Sequence, residues 1–391
     1  MLSNDSAFWP AADTTYDQWR DQAPVHRSET PDGSPVWIVT RYADVRAGLA
    51  DRRLGLDKTN SRTGYTGFTL PAALDANLLN LDPPDHTRLR RHVTQVFTTR
   101  RIEQLRPAVH RHVEQLLAGV HPRQTTDLVT ALAAPLPLAM IGDLLGIDQL
   151  DRIRAWTDTL IAPGPHQPYT PRQAITELAG FLRDLVADRR RHPDGSLISD
   201  LVAARDGGDQ LTDDELTSLV FLLMWAGYET TIDALGTGIL ALLQHPDLRS
   251  RLHENADDVP AAIEEFLRRT GPTPLSIRRF ATEDLTIGGT RIPAGDTVLL
   301  LIASANRDPA IYDRPDAYDI DRTPNPHLAF GHGIHHCLGA PLARLELSVA
   351  IGTLAARYPD MALAVPVEQL RWRPSFRARG LTSLPVLLQP A

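Results

Sequence analysis

The amino-acid sequence predicts a mainly α protein with a small β portion, and three observations lead to this fold class. Apolar residues recur at helical spacing through most of positions 85–193. A capping box opens another helical stretch at Thr212, and no proline follows until Pro246. Short aliphatic runs separated by glycine turns follow at 285–302. With 391 residues, 42% of them hydrophobic, the chain is long enough to bury a large core and enclose a ligand pocket.

The first half of the chain combines loops and helices. Its proline-rich start predicts a loop-like stretch, which leads into a strand at 35–40 and a helix at 41–50. Residues 59–81 show no clear periodicity, so we expect a long loop there. A proline-rich run at 162–171 is expected to separate two helices. The charged residues at 189–196 predict a turn.

The most informative helix begins at Thr212, which forms a capping box with Glu215. About thirty residues in one helix span roughly 45 Å, enough to cross a domain. The apolar composition of its first half predicts that this helix runs through the core. A further helix is expected to end near Arg269, a long loop covers 308–336, and helix returns at about Leu338.

Charge argues against a nucleic-acid partner, and hydropathy argues against a membrane segment. The formal net charge is −8, and no Lys/Arg tract is interleaved with aromatic residues, so we expect no nucleic-acid partner. The start MLSNDSAFWP carries neither a basic n-region nor a long apolar segment. The most apolar stretch, 219–226, is shorter than the roughly 18 residues of a transmembrane helix. We therefore expect a cytoplasmic protein without membrane contact.

Cys337 is the only cysteine, which excludes an internal disulfide and a CxxC motif. It lies in FGHGIHHCLGA (330–340), whose closely spaced glycines indicate an unusual backbone conformation. A helix is predicted to start at the cysteine, and its amides and dipole favour the thiolate, the form that binds metals. The alternatives are a small buried hydrophobic residue and a zinc site with His332, His335 and His336, although that crowded spacing suits tetrahedral zinc poorly.

This segment resembles the haem-binding signature of cytochrome P450s, F-G-x-G-x-[HR]-x-C-x-G, at every defined position. The resemblance implies haem b, with Cys337 as the axial thiolate ligand of the iron and with Phe330 and Gly331 beside the cofactor. It implies the P450 fold, in which the haem is buried between the long central helix and the helix after the cysteine. It also implies a single domain over residues 1–391, because propionate anchors and cysteine must meet one cofactor.

A second resemblance lies within the long helix, in the segment AGYETT (226–231). By itself, an acid and two hydroxyls beside a glycine are typical of a helix kink. The segment also resembles the family motif [AG]-G-x-[DE]-T-[ST], which makes room for dioxygen. The match implies that Ala226 contacts the haem, that Thr230 hydrogen-bonds dioxygen and that Glu229 helps to deliver protons.

Four residues are implied to bind the two haem propionates. His86 and Arg90 share one helical face in DPPDHTRLR, which resembles the start of the family's C helix. Arg279, with Arg278 as the adjacent alternative, and His335 match the other propionate contacts. Taken singly, any of these arginines is more often a solvated surface charge.

The segment from Glu265 to Arg268 resembles the family's E-x-x-R motif, whose charged residues pair at i and i+3 on a helix. The resemblance implies a buried ion pair, completed by Arg322 from the loop before the cysteine. Its implied role is the integrity of the fold and of the haem pocket. Breaking such a buried pair costs about 3–5 kcal/mol.

No G-x-G-x-x-G fingerprint and no P-loop occur in the sequence, so we expect electrons to come from separate proteins. The resemblance implies a ferredoxin and a ferredoxin reductase as donors. An acidic ferredoxin is expected to dock near the cysteine, with Arg88, Arg91, Arg100 and Arg101 as candidate contacts. An ordinary charged helix face explains these arginines equally well. The family resemblance also favours a monomer.

The family geometry predicts an apolar substrate pocket. Its expected lining is Leu78, Leu79, Trp225, Thr273, Leu275, Ile277, Leu381 and Thr382. We expect a mono-oxygenase that uses O2 on a small apolar or amphipathic molecule, such as a polyketide, macrolide, terpenoid or peptide intermediate of secondary metabolism. Hydroxylation or epoxidation is the default reaction. The alternatives are oxidative coupling or desaturation by the same fold, and a non-catalytic haem sensor, against which the intact Glu229–Thr230 pair argues.

Overall fold

The computed structural model describes residues 2–62, 64–65, 70–161, 167–204 and 209–389. Helices hold 54% and strands 9% of the chain, which confirms the mainly α fold class. The chain divides into two compact units. Unit 1 comprises Met1–Tyr65, His110–Ala134 and Thr230–Ala391, and unit 2 comprises Thr66–Val109 and Pro135–Glu229. The single domain expected over 1–391 stays a prediction.

The described residues form α-helices that are numbered here in chain order. They are α1 Trp9–Gln22, α2 Tyr42–Ala50, α3 Ala72–Asp75, α4 Asp85–Val96, α5 Thr99–Gln104, α6 Arg106–Ala118, α7 Pro135–Leu145, α8 Leu150–Ile161, α9 Pro171–Arg191, α10 Leu197–Ala203, α11 Asp213–Gln244, α12 Pro246–Glu254, α13 Val259–Thr270, α14 Ile302–Ala305 and α15 Ala340–Arg357. The helix expected at 41–50 is α2. The helices expected around the proline-rich run are α8 and α9, and residues 162–166 of that run lie outside the described residues.

The β-strands belong to unit 1. They are β1 Val25–Glu29, β2 Pro35–Val39, β3 Leu54–Gly55, β4 Thr126–Asp127, β5 Arg279–Ala281, β6 Leu285–Ile287, β7 Thr290–Ile292, β8 Thr297–Leu300, β9 Ala362–Leu363 and β10 Pro385–Leu387. One sheet has the order β1-β2-β8-β5-β3, a second has β4-β10-β9, and β6 pairs with β7. β2 pairs with β8 in parallel, which joins the N-terminal strands to the late strands predicted at 285–302.

The N-terminal expectation of a loop-like stretch is wrong, because residues there form α1 and β1. Pro10 lies in the first turn of α1, where its missing N–H removes no helical hydrogen bond. Trp9, Ala12 and Tyr16 repeat at helical spacing and pack in one buried cluster with Ile38 of β2. Burial of this face stabilises α1, although the prolines in this stretch had predicted a loop. The loop expected at 59–81 contains the short helix α3, and Thr63 and residues 66–69 lie outside the described residues.

The capping box of α11 is confirmed. The Glu215 N–H donates to Thr212 Oγ1 at 3.2 Å, and the Thr212 N–H donates to Glu215 Oε2 at 2.8 Å. The helix continues for 32 residues, to Gln244. Val220 and Leu235 have no exposed surface, so the helix runs through the core as expected. Within the described part of the chain, no helix is both long and apolar enough to cross a membrane.

α15 carries a buried carboxyl group. In unit 1, α15 packs against α12 and α13, and the Glu346 side chain on it is 2% exposed. Its Oε2 atom has no hydrogen-bond partner among the described residues. Burial raises the pKa of this carboxyl to about 8. The group is therefore protonated in the folded protein at neutral pH, because a carboxylate would lack solvation there.

We expect Glu346→Gln to remove a pH dependence of stability. Below about pH 4.5 the carboxyl is protonated in both the folded and the unfolded chain, so its ionisation does not lower the free energy of unfolding. As pH rises from there to about 8, only the unfolded chain ionises, and the wild-type free energy of unfolding falls by on the order of a few kcal/mol. Urea unfolding at pH 5 and pH 8 measures this loss, which should shrink in Glu346→Gln. The exposed Glu254→Gln on α12 is the control, and equal losses in all three proteins would contradict the prediction.

Candidate functional site

The Cys337 thiol is exposed in unit 1, on a loop that leads into α15. The Cys337 N–H donates to the carbonyl oxygen of Phe330 at 2.9 Å, which closes the loop. Gly331 and Gly333 have φ angles of 73° and 78°, in the left-handed region that glycine adopts without strain. The loop ends three residues before Ala340, the first residue of α15. The thiol therefore lies close to the N-terminus of this helix.

At Gly333 the cysteine loop packs closely against the end of α2. A Cβ atom at this position would lie 3.0 Å from the Cα of Ala50 and 3.2 Å from the carbonyl oxygen of Leu49. Both contacts are with backbone, which cannot move aside as a flexible side chain would. Gly333 is thus required by its φ angle and by the close approach together.

A charged cluster behind the loop was not predicted from the sequence. Glu264 on α13 accepts two hydrogen bonds from Arg344 on α15, at 2.7 and 2.9 Å, and one from His327 at 2.9 Å. The Arg344 guanidinium lies 4.5 Å from the centre of the Phe330 ring. Burial alone would raise the pKa of Glu264, but the hydrogen bonds from Arg344 and His327 lower it to about 2. The cluster fixes Phe330, whose carbonyl holds Cys337.

Glu265 and Arg268 form the centre of a buried ionic network. The two side chains pair directly, and Arg322 Nε donates to Glu265 Oε1 at 2.7 Å. Arg268 also donates to three carbonyl oxygens, those of Asn306 (3.0 Å), Pro315 (2.8 Å) and Ala317 (2.7 Å). The network thereby ties α13 to the long loop that precedes Cys337. Glu265 and Arg268 are each 1% exposed.

Arg279 and Arg278 lie at the start of β5 and are both buried. Arg279 Nη1 donates to the carbonyl oxygen of Leu54 at 3.1 Å, across the β3–β5 pair. Arg278 lies 4.8 Å above the Tyr65 ring, a cation–π contact. The neighbouring arginines therefore have different surroundings. His335, in the cysteine loop, is partly exposed.

The middle of α11 changes from buried to accessible. Tyr228 and Thr231 are buried, Ala226 and Glu229 are partly exposed, and Thr230 is exposed. An exposed residue so close to buried ones is unusual in a core helix. α11 remains helical through this segment.

In unit 2, His86 and Arg90 lie one turn apart on α4. His86 is 1% exposed, and Arg90 is partly exposed. Burial lowers the pKa of His86, and the positive charge of Arg90 lowers it further, against the opposing effect of Asp82. Burial and the Arg90 charge thus both favour the neutral form of the imidazole.

The expected pocket residues have different surroundings in the two units. In unit 2, Leu78 is buried, Leu79 is partly exposed, and Trp225 stacks on Phe221 with ring centres 5.9 Å apart. In unit 1, Leu275 belongs to the core cluster of Trp9 and Tyr16, which gives its side chain a core role.

Thr273 and Ile277, by contrast, are partly exposed. Leu381 is buried, and Thr382 is exposed and donates its hydroxyl to the carbonyl of Arg371 at 3.0 Å.

Two of the four arginines expected to contact a ferredoxin are held in ion pairs within unit 2. Arg88 pairs with Asp209 at 3.0 Å and with Glu215. Arg101 pairs with Asp200 and donates to the carbonyl of Gly195 at 3.1 Å. Arg91 and Arg100 are exposed.

The cysteine loop fits a metal whose other ligands come from a cofactor. Among the described residues, no group of three His, Cys, Asp or Glu side chains has an arrangement suited to a metal ion, so the structure offers no support for the zinc alternative. An accessible thiol near a helix N-terminus is still well placed to be a thiolate. A single protein thiolate suffices when the other ligands are supplied by a ring such as haem. The loop is therefore compatible with a haem-thiolate site.

Comparison with known proteins identifies the family. The cytochrome P450 family model matches residues 163–359. The cytochrome P450 monooxygenase PikC of Streptomyces venezuelae is 43% identical, over 95% of this chain and 90% of the relative. The mycinamicin IV hydroxylase/epoxidase of Micromonospora griseorubida is 40% identical over 95% and 94%. The structure of the bacillaene polyketide synthase cytochrome P450 PksS of Bacillus subtilis 168 superposes with a TM-score of 0.92, at 38% identity and 99% coverage of both chains.

This chain belongs to the cytochrome P450 family. It is accordingly an oxidoreductase of the mono-oxygenase type that carries haem b with a cysteine thiolate on the iron. The fold inferred from the signature around Cys337 is confirmed by these matches.

Proposed function

We propose that this mono-oxygenase oxidises a polyketide or macrolide intermediate of secondary metabolism, by hydroxylation or epoxidation. The substrate class rests on the relatives, one of which is named for mycinamicin IV and another for a polyketide synthase. The central observation for the chemistry is the exposed Cys337 thiol on its glycine-turned loop. The proposed pocket contacts are Ile277, Trp225, Leu79 and Thr273, which are partly exposed, together with Leu381 and Thr382.

The proposed haem contacts follow the family motifs, residue by residue. Cys337 ligates the iron, Phe330, Gly331 and Ala226 lie against the macrocycle, and the propionates are bound by His86, Arg90, Arg279 and His335. The partly exposed loop residues 330, 331 and 335 are accessible for such contacts. His86 and Arg279 are both buried, so either side chain would bind a propionate away from bulk solvent.

Glu229 and Thr230 are the proposed catalytic residues. When bound, the haem supplies the activation of dioxygen. Thr230 is exposed next to the buried Thr231, and its hydroxyl is the proposed hydrogen-bond donor. Glu229 precedes it, is partly exposed and is the proposed relay of protons towards Thr230. Both roles require a hydroxyl and an acid at adjacent positions, which α11 provides.

Turnover under labelled dioxygen tests the proposed reaction. Macrolactones and linear polyketides are first screened for a substrate-induced spin-state change in the absorption spectrum of the holoprotein. We expect the product of a responding compound to carry one atom of ¹⁸O. An oxidised product without the label would contradict oxygen insertion and favour oxidative coupling or desaturation.

We propose that a ferredoxin, reduced by its reductase, supplies the electrons to a monomeric enzyme in the cytoplasm. Arg91 and Arg100 are the proposed contacts, because both side chains are exposed on the surface of unit 2. Arg91→Glu is expected to raise the ferredoxin concentration for half-maximal turnover at least about threefold at low salt, and less at high salt. Arg183→Glu on α9 is the surface control. The same ferredoxin dependence in wild type and both variants would refute this docking site.

A further inference from the structure

Asp233 is a buried acid on α11 that the catalytic motif does not include. It lies three residues after Thr230, about one helical turn further along, and is 1% exposed. Arg373 forms an ion pair with its carboxylate at 3.2 Å and is itself 16% exposed. Thr237 donates its hydroxyl to the Asp233 carbonyl at 2.8 Å and to the Thr270 carbonyl at 3.1 Å, which joins this turn to the end of α13.

Arg373 belongs to a segment that folds back on itself, residues 371–382. The Arg373 N–H donates to the Gly380 carbonyl at 2.8 Å, and the Thr382 N–H donates to the Arg371 carbonyl at 2.9 Å. Trp372 and Leu381 form a β-bridge between these bonds. The segment is therefore a hairpin that carries Leu381 and Thr382, two of the expected pocket residues, on its second strand.

At Gly380 the hairpin packs closely against the Asp233 carboxylate. A Cβ atom at this position would overlap the carboxylate oxygens. The φ angle of Gly380 lies outside the left-handed region, so the contact, and not the backbone conformation, requires glycine here. Asp233 thus touches both strands of the hairpin, through Arg373 on one and Gly380 on the other.

The same hairpin is tied to the segment that bears Thr273. The Arg379 N–H donates to the Pro272 carbonyl at 2.8 Å, and Arg379 Nη1 donates to Asp13 at 3.0 Å. Trp9 donates its indole N–H to the Arg373 carbonyl at 3.2 Å. Release of the Asp233 contact would therefore free the hairpin from α11 while these other bonds keep it folded.

We propose that Asp233 is a positioning residue for the substrate pocket. Its ion pair with Arg373, together with its contact with Gly380, locks the hairpin 371–382 to α11 and so fixes Leu381 and Thr382 with respect to the helix that bears Thr230. A buried carboxylate suits this role for two reasons. It pairs with the Arg373 guanidinium in one geometry, and it occupies the space that a side chain at position 380 would otherwise fill. This inference rests on the proposed function, since it assigns a role in that pocket.

Azole binding to the full-chain holoprotein tests the positioning role. Imidazole ligates haem iron without filling a substrate pocket, whereas the phenyl ring of 4-phenylimidazole reaches the pocket wall. We expect Asp233→Asn to raise the Kd of 4-phenylimidazole about tenfold relative to that of imidazole, because the wall is no longer fixed. Arg373→Gln should act in the same direction, and Arg373→Lys should restore part of the affinity. Hydrogen exchange at the Thr382 amide should become faster in Asp233→Asn, with or without haem.

Matched variants separate positioning from general destabilisation. Asp17→Asn removes a carboxylate that pairs with Arg20 and Arg307, and it should leave the ratio of the two Kd values unchanged. Gly380→Ala should raise the ratio in the wild-type background, but by less than about twofold when Asp233→Ala has already removed the overlapping carboxylate.

An unchanged ratio and unchanged exchange in Asp233→Asn would overturn the inference. If wild-type protein failed to bind imidazole at all, the proposed haem function would be wrong, and unaltered exchange of the hairpin in Asp233→Asn would still overturn the positioning role by itself.

Discussion

Glu265→Gln is expected to lower the free energy of unfolding by about 3–5 kcal/mol, a large part of the total stability of a typical domain. The substitution keeps the shape of the side chain but removes its charge. Arg268 and Arg322 would then remain beside a neutral amide, with Arg268 1% exposed. Arg268 also holds three carbonyls of the loop before Cys337, so the loop should loosen with it. We therefore expect the variant to lose haem as well as stability.

Urea unfolding of the full chain measures this effect, and the haem-to-protein absorbance ratio reports the second loss. Glu103→Gln is the matched control, because Glu103 and Arg106 have the same i, i+3 spacing but are about half exposed. The control should cost no more than about 1 kcal/mol. Similar costs for both substitutions would show that the buried network does not stabilise the fold in the way its geometry implies.

Thr230→Ala should separate oxygen consumption from product formation. Reductant and dioxygen should still be consumed, but without the hydroxyl the proton is not delivered where product formation needs it. Because positioned proton transfer contributes about 10²–10⁴-fold, we expect product per reductant consumed to fall at least about tenfold, with hydrogen peroxide released in its place. Product, reductant and peroxide are measured in the same turnover experiment.

Two neighbouring substitutions define the role of the Thr230 hydroxyl. Thr230→Ser retains a hydroxyl and should recover most of the coupling. Thr231→Val removes the hydroxyl of the adjacent buried residue and should leave the coupling near that of wild type. Coupling that persists in Thr230→Ala, or that falls equally in Thr231→Val, would refute the assignment of Thr230.

Elements fixed by local interactions could be predicted from the sequence. Thr212 and Glu215 are three residues apart, so their capping box is readable directly, and it marks the start of α11 within one residue. The turn between β6 and β7 follows in the same way from Gly288 and Gly289. α1 could not be predicted from the proline-rich start, because proline is typical of loops and is also tolerated in the first turn of a helix. β5 could not be predicted, because it is a three-residue strand that pairs with the distant β3 and with β8 rather than across a local glycine turn.

The candidate site also has one part that could be predicted from local sequence and another that depends on distant residues. Cys337 and the residues around it lie in one short segment, so their chemistry could be inferred before any fold was known. The pairing of Glu264 with Arg344 joins residues 80 positions apart, and the pairing of Asp233 with Arg373 likewise depends on tertiary packing. No local signal connects such partners. The core position of Leu275 was unpredictable for the same reason, since an apolar residue fits a pocket wall and a core equally well.

The absorption spectrum of the reduced holoprotein under carbon monoxide tests the central claim most directly, with Cys337→Ala as the variant and His336→Ala as the control. We predict the strongly red-shifted Soret band of a thiolate–haem–CO complex in wild type and His336→Ala, and its loss in Cys337→Ala. A histidine-like band that Cys337→Ala leaves unchanged, or the absence of any haem band in wild type, would contradict ligation of the haem iron by Cys337.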